Sequence, residues 1–144
     1  MSASGKLLRY SASAGSGKTH ALTGFYLSRV LIDPGAYRRI LAVTFTNSAA
    51  AEMKSRILSR LGTLGSDKAG DEAERNEFVT YLCEDFPDLY PAPVQAMLTV
   101  RKNAPLALKN ILQDYSRFTV GTIDSFFQRV IRAFAREIEV PAGY

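Results

Sequence analysis

The spacing of apolar positions along this chain switches between the two periods of regular structure, and each switch marks an element. Leu7–Ser11 is a short apolar segment running into small residues and glycine, and Ile40–Phe45 (ILAVTF) is apolar and β-branched almost throughout. The second pattern predicts a strand buried on both faces. Between them Lys18–Ile32 reads as one continuous helix, stopped by Pro34 and Gly35, so the three segments form a βαβ unit. Next, Ala50, Met53, Ile57 and Leu61 recur at helical spacing, with Gly62 and Gly65 expected to end that helix. The pattern then predicts a helix near Glu72–Glu84 and two short ones at Pro93–Arg101 and Leu106–Ser116. Phe118–Thr122 (FTVGT) reads as a third strand. In Ser125–Ile138, Phe126, Phe127, Val130, Ile131, Phe134 and Ile138 fall on one broad helical face, and Ser125 with Gln128 forms a capping-box pattern. Strands alternating with helices imply an α/β fold with a parallel sheet and right-handed crossovers.

Composition narrows this picture. With 144 residues, 47% of them apolar and 22% charged, the chain has the make-up of one folded globular domain rather than a disordered tail. No run approaches the ~20 apolar residues that span a bilayer. The N-terminus MSASGKLLRYSAS lacks the apolar core of a secretory signal, so no membrane association and a cytoplasmic location are expected. Cys83 is the sole cysteine, which excludes an internal disulfide; it reads as a small buried hydrophobe. The net charge of +4 is unevenly spread. Met1–Arg60 carries nine Lys/Arg against two acids, whereas Leu61–Tyr115 carries five against nine. A basic first half suits an anionic partner such as nucleic acid.

The chemistry concentrates in Ala12–Thr19, ASAGSGKT, placed between a predicted strand and a predicted helix. It matches the phosphate-loop pattern G-x-x-x-x-G-K-[ST], with alanine in the first glycine position. Gly15 and Gly17 permit a backbone whose N–H groups line a nest for phosphate oxygens, and the helix that follows points its positive end at the same anion. Ser13, Ala14, Gly15, Ser16, Gly17, Lys18, Thr19 and His20 are therefore the candidate nucleotide-contacting residues. Lys18 and Thr19 are the candidate catalytic pair: Lys18 reaches the β and γ phosphates of ATP, and the Thr19 hydroxyl ligates Mg2+. His20 is the lone histidine, and with no Cys or second His beside it a structural role is expected rather than a metal one.

The second strand runs into AVTFTNSAAAEM, residues 42–53, and the third into GTIDSFFQRVIR. With SASAGSGKT, these segments resemble motifs I, Ia and T-x-H-[SG]-[FL] of the UvrD/Rep-like superfamily 1 DNA helicases, in the family's order. The flavour of the first motif and the long helical stretch 62–115 are most similar to the RecB and AddA helicase-nuclease subunits. The resemblance implies a RecA-like ATP-binding domain over residues 1–144, with 62–115 as a helical insertion. It implies binding of single-stranded or duplex DNA, a second RecA-like domain in the rest of a helicase chain, and a helicase-nuclease partner subunit.

Such helicases contact single-stranded DNA through the motif Ia loop, which assigns that role to Thr44, Phe45, Thr46 and Asn47, joined by Thr122 and Ser125. The residue types agree: the polar side chains can bond phosphates and sugars, and Phe45 offers a ring for base stacking. On residue type alone Phe45 also fits a core aromatic at a strand end. Asp124 departs from the family, where histidine is common, and it is expected to cap the helix starting near Ser125. The Asp-Glu-x-Gln segment that holds magnesium in relatives is not found here, and the acidic pairs Asp71-Glu72 and Glu84-Asp85 read as solvated faces. The expectation is thus an N-terminal piece of an ATP-dependent DNA helicase, inactive alone. A self-contained small-molecule kinase or ATPase, and a non-catalytic nucleic-acid-binding module, are the alternative functions.

Overall fold

Four helices carry an apolar residue every third or fourth position, and burial of those stripes builds one shared core. The computed structural model describes residues 16–138, so the expected strand Leu7–Ser11 and loop residues Ser13, Ala14 and Gly15 lie outside the described residues. Helix α1 (Ser16–Ile32) contributes Tyr26, Leu27, Val30 and Leu31 to the core. Helix α2 (Asn47–Leu64) contributes Ala50, Met53, Ile57, Leu61 and Leu64, and α3 (Glu72–Asp85) contributes Phe78, Val79 and Leu82. Each large side chain buried this way contributes about 1.5–3 kcal/mol of transfer free energy.

Helix α4 (Pro93–Gln113) packs against α1, α2 and α3 together, through Ala96, Val100, Ala104, Ala107 and Ile111. Here the structure corrects the expected pair of short helices. Pro105 lies inside one continuous α4, although proline removes a helix N–H and crowds the preceding turn. Its neighbours Ala104 and Ala107 are fully buried, and the ring rests on the backbone of Gly65. A Cβ on Gly65 would stand 2.8 Å from Pro105 Cγ. Core packing on both sides of the proline thus holds the helix through it. Gly62 likewise does not end α2; it lies within the helix, and Gly65 is the C-cap.

Polar tethers lock the layer. Tyr90 donates its hydroxyl to the Ser28 carbonyl at 2.5 Å, and Asn103 Nδ2 donates to the Leu31 carbonyl at 2.7 Å. Tyr37 donates to Asp114 Oδ2 at 3.0 Å, where Arg38 Nε also donates. Buried Arg75 donates to the Leu64 and Ser66 carbonyls, satisfying the end of α2.

Strands β1 (Ala42–Thr44) and β2 (Val120–Thr122) pair in parallel, with Ala42 opposite Val120, Val43 opposite Gly121 and Thr44 opposite Thr122. The connection between them contains α2, α3 and α4, and α5 (Ile123–Glu137) follows β2 directly. The result is a helix-rich α/β arrangement around a small parallel sheet. The expected two-sided burial of Ile40–Phe45 is not met: Leu41, Val43 and Phe45 are exposed, because among the described residues only one side of β1 is covered. The apolar face of α5 is formed as expected but exposed, through Phe127, Ile131, Phe134 and Ile138. Cys83 is a free, half-buried thiol at the edge of the core.

Candidate functional site

Ser16, Gly17, Lys18 and Thr19 form the first turn of α1, and that turn holds no acidic residue. The leading N–H groups of a helix have no intrahelical acceptors and carry the positive end of its dipole, so this end suits an anion. A phosphate group fits the residues described there: glycine, lysine and hydroxyl residues with no carboxylate to oppose it. His20, the next residue, is exposed, with its ring 6.2 Å from the ring of Tyr81 on α3.

The second set of expected residues gathers at the C-terminal ends of the strands. The parallel register sets Thr44 directly opposite Thr122, so two segments far apart in the chain end side by side. Ligands of parallel α/β sheets commonly bind beyond this end of the strands. Phe45, the first residue past β1, is 88% exposed; its ring is presented to solvent rather than to the core. Thr44 Oγ1 donates to the Thr46 carbonyl at 3.1 Å, and Thr46 Oγ1 accepts from the Ala49 N–H at 3.1 Å, making Thr46 the N-cap of α2. Asn47 opens the helix and is exposed.

On the neighbouring strand, Thr122 is buried, and its hydroxyl accepts from the Ser125 N–H at 3.2 Å while bonding Ser125 Oγ at 2.9 Å. This corrects the expected role of Asp124 and the register of the capping box. Because α5 begins at Ile123, the N-cap is Thr122, and Asp124 lies exposed in the first turn, where a negative charge suits the dipole. Of this set, Phe45, Thr46, Asn47 and Ser125 are open to solvent, whereas Thr122 is turned inward. Two basic residues of α2 are engaged elsewhere: Lys54 Nζ lies over the Tyr115 ring at 5.4 Å, and Arg56 pairs with Glu52 at 2.5 Å.

Among the described residues no group of three or more His, Cys, Asp or Glu could hold a metal ion. Glu72, Glu84 and Asp85 are exposed and Asp71 is half-buried, as expected of solvated faces. No helix of the described residues is long and apolar enough to cross a membrane. One feature escaped sequence reasoning: a cleft of about 410 Å3 between α1, α2 and α3, lined by His20, Thr23, Arg60, Glu77, Phe78 and Tyr81, among others. Its residues come from three helices, so no local motif marks it.

Comparison with known proteins places this geometry in context. A family model described as the UvrD/REP helicase N-terminal domain matches residues 3–143. The chain is 52% identical over 56 residues to a probable DNA helicase II homolog of Mycoplasma capricolum subsp. capricolum, covering 37% of this chain and 7% of that protein. It is 51% identical over 59 residues to an ATP-dependent helicase/nuclease subunit of Carboxydothermus hydrogenoformans, covering 40% of this chain and 5% of that protein. With the protein of the same description from Alkaliphilus oremlandii it shares 43% identity over 70 residues, covering 49% of this chain and 6% of that protein. The chain thus spans only a small part of the length of the curated relatives it matches. No solved structure matches it.

Proposed function

The chain belongs to the UvrD/REP helicase N-terminal domain family, and from that premise we propose that it forms the ATP-binding and DNA-contacting part of an ATP-dependent DNA helicase. The observation that carries this reading is the register that sets the end of β1 beside the end of β2. It brings the Phe45–Asn47 loop next to Ser125 on one edge of the sheet, with Phe45 free to stack. The names of the curated relatives, a DNA helicase homolog and helicase/nuclease subunits, support the same activity class.

In this reading the residues Ser13–His20 surround the nucleotide. The turn that opens α1 holds its phosphates, Lys18 neutralises the β and γ oxygens, and the Thr19 hydroxyl is a ligand of the magnesium ion. Bound ATP-Mg2+ supplies the phosphoryl group whose hydrolysis drives movement along DNA. Phe45 stacks on a base, worth about 1–3 kcal/mol, while Thr46, Asn47 and Ser125 lie against the sugar-phosphate chain. Thr44 and Thr122, whose hydroxyls serve the loop and the α5 cap, shape that edge from behind. Further groups for hydrolysis come from an Asp-Glu-x-Gln segment and from a second RecA-like domain of the parent helicase, and a helicase-nuclease subunit is the expected partner. The cytoplasm is the working place that this reading assigns.

Two variants test it. Lys18→Ala should abolish binding of a fluorescent ATP analogue while circular dichroism stays unchanged. Phe45→Ala should weaken binding of single-stranded oligothymidylate about tenfold, with wild-type affinity falling as salt rises. Equal nucleotide affinity in Lys18→Ala, or equal DNA affinity in Phe45→Ala, would overturn the corresponding half of the assignment.

A further inference from the structure

The arginines of the described residues divide sharply by what they touch. Arg38, Arg39, Arg56, Arg60, Arg101 and Arg117 pair with carboxylates. Buried Arg75 donates to carbonyls, and the Arg29 guanidinium lies over the Phe25 ring at 5.2 Å. Among the described residues this leaves Arg129, Arg132 and Arg136 without a carboxylate, carbonyl or ring partner. All three stand on α5, and all three are exposed.

Their spacing puts them on one face. Steps of three and four residues place Ser125, Arg129, Arg132 and Arg136 within about 60° of one another around the helix axis. Phe127, Ile131, Phe134 and Ile138 fall on the opposite side, so a neighbour packed on the apolar face leaves the arginines open. Asp124 and Glu137, the acids of α5, stand neither three nor four residues from any of these arginines, which denies the stripe pairing within the helix. Arg132 has Arg129 and Arg136 as its stripe neighbours instead, and like charges at that spacing repel. A polyanion laid along the stripe removes the repulsion.

The stripe begins at the edge of the sheet where Thr44 and Thr122 lie side by side. Arg129 lines a small notch there together with Thr122 and Ser125, and Ser125 is exposed at the start of the same face. From Ser125 to Arg136 the helix rises about 16 Å at ~1.5 Å per residue, a length that spans several phosphates of one strand at about 3.4 Å per nucleotide. Guanidinium forks match phosphate oxygens two at a time.

We infer that this face of α5 is a phosphate track, along which Arg129, Arg132 and Arg136 hold the backbone of a single DNA strand beyond Ser125. The assignment to DNA rests on the function proposed above, which sets the sugar-phosphate chain against Ser125. Contacts of this kind position a strand without reading its sequence, so the track serves any base order. An acidic protein segment is the competing occupant, and continuity of the stripe with Ser125 and the notch at the sheet edge favours the nucleic acid.

Titration of the purified chain with fluorescent oligothymidylate across a range of salt concentrations tests the inference. Each phosphate contact on a single strand adds about 0.7 to the slope of log affinity against log salt. A chain carrying Arg129→Gln, Arg132→Gln and Arg136→Gln should therefore bind about tenfold or more weakly, with a slope smaller by about 2. Glutamine is a good helix former, so the circular dichroism spectrum should be unchanged. Lysine at the same three positions should restore the slope. Glutamine at Arg39, Arg101 and Arg117, which are ion-paired away from α5, makes the same change in net charge and should leave the slope near that of the wild type. A wild-type slope in the α5 variant, or an equal fall in the variant of the paired arginines, would sink the track. If Phe45→Ala still weakens binding in that case, the reading of the sheet edge stands and only the track fails. A fall in slope confined to the α5 variant, with wild-type affinity in Phe45→Ala, supports the track and removes the Phe45 contact. Poly-glutamate binding lost in the α5 variant, with its DNA slope unchanged, would give the stripe to an acidic protein segment and also overturn the proposal. A wild-type chain that binds no oligothymidylate at low salt overturns both readings.

Discussion

Tyr26 shows how a single atom can oppose the fold around it. Its ring is buried and packs edge-on against Phe118 at 5.9 Å, yet its hydroxyl has no hydrogen-bond partner among the described residues. Burial, reinforced by the nearby Tyr37, pushes the phenol well above its ordinary pKa, so it stays neutral. An unmet buried hydroxyl costs about 1–3 kcal/mol, and Tyr26→Phe should therefore raise the midpoint of thermal unfolding. A lower midpoint would show that the hydroxyl has a partner in solution. Asp33 illustrates the opposite case. The Gly35 N–H donates to its Oδ1 at 3.0 Å and Arg39 pairs with Oδ2 at 2.5 Å, which hold its carboxyl below the usual carboxylate range. A depressed carboxylate stabilises the folded state above its unfolded pKa, and the contribution disappears as pH falls through the folded one. The stability difference between wild type and Asp33→Asn should accordingly be full at neutral pH, begin to shrink as pH falls through the ordinary aspartate pKa of about 3.9, and vanish only below the lower folded value. Denaturant unfolding across that range checks the sign.

At the scale of elements, the contact between α2 and α4 depends on Gly65 and Pro105. The Cβ of an alanine at 65 would meet Pro105 Cγ at 2.8 Å, Cδ at 2.9 Å and its backbone nitrogen at 3.1 Å. None of these atoms is the tip of a flexible side chain, so relief requires the helices to part. Gly65→Ala should cost about 1–3 kcal/mol, the usual range for overpacking, read as a drop in the denaturant midpoint. A neutral result would mean that α4 bends readily at its proline. The same contact explains why α4 was not legible as one helix. Proline is a strong local breaker, and only the buried alanines on either side of Pro105 and the glycine facing it override that signal. Elsewhere the elements were readable: α3 matches its expected span almost residue for residue, and α1 ends at Ile32, ahead of Pro34.

Over the whole molecule, the expected parallel pairing is seen between β1 and β2, whereas the βαβ unit expected around Lys18–Ile32 has its first strand outside the described residues. The stretch 62–115 turns out to be more than an ornament. Helix α4 is the hub against which α1, α2 and α3 pack, so much of the core comes from residues that carry no family motif. The exposed position of Phe45 also needed the third dimension, because an aromatic at the end of an apolar strand has the same local signature whether it faces core or solvent.

What the sequence determined by itself was local. Glycine spacing and the Gly17-Lys18-Thr19 run mark a turn suited to phosphate, and apolar periodicity marks the helices, because dihedral freedom and side-chain direction act over a few residues. Tertiary structure decided which segments became neighbours: Thr44 beside Thr122, Pro105 over Gly65, and Tyr81 against Gly24. Those contacts join residues separated by tens of positions, and only the shared burial of the helical stripes brings them together.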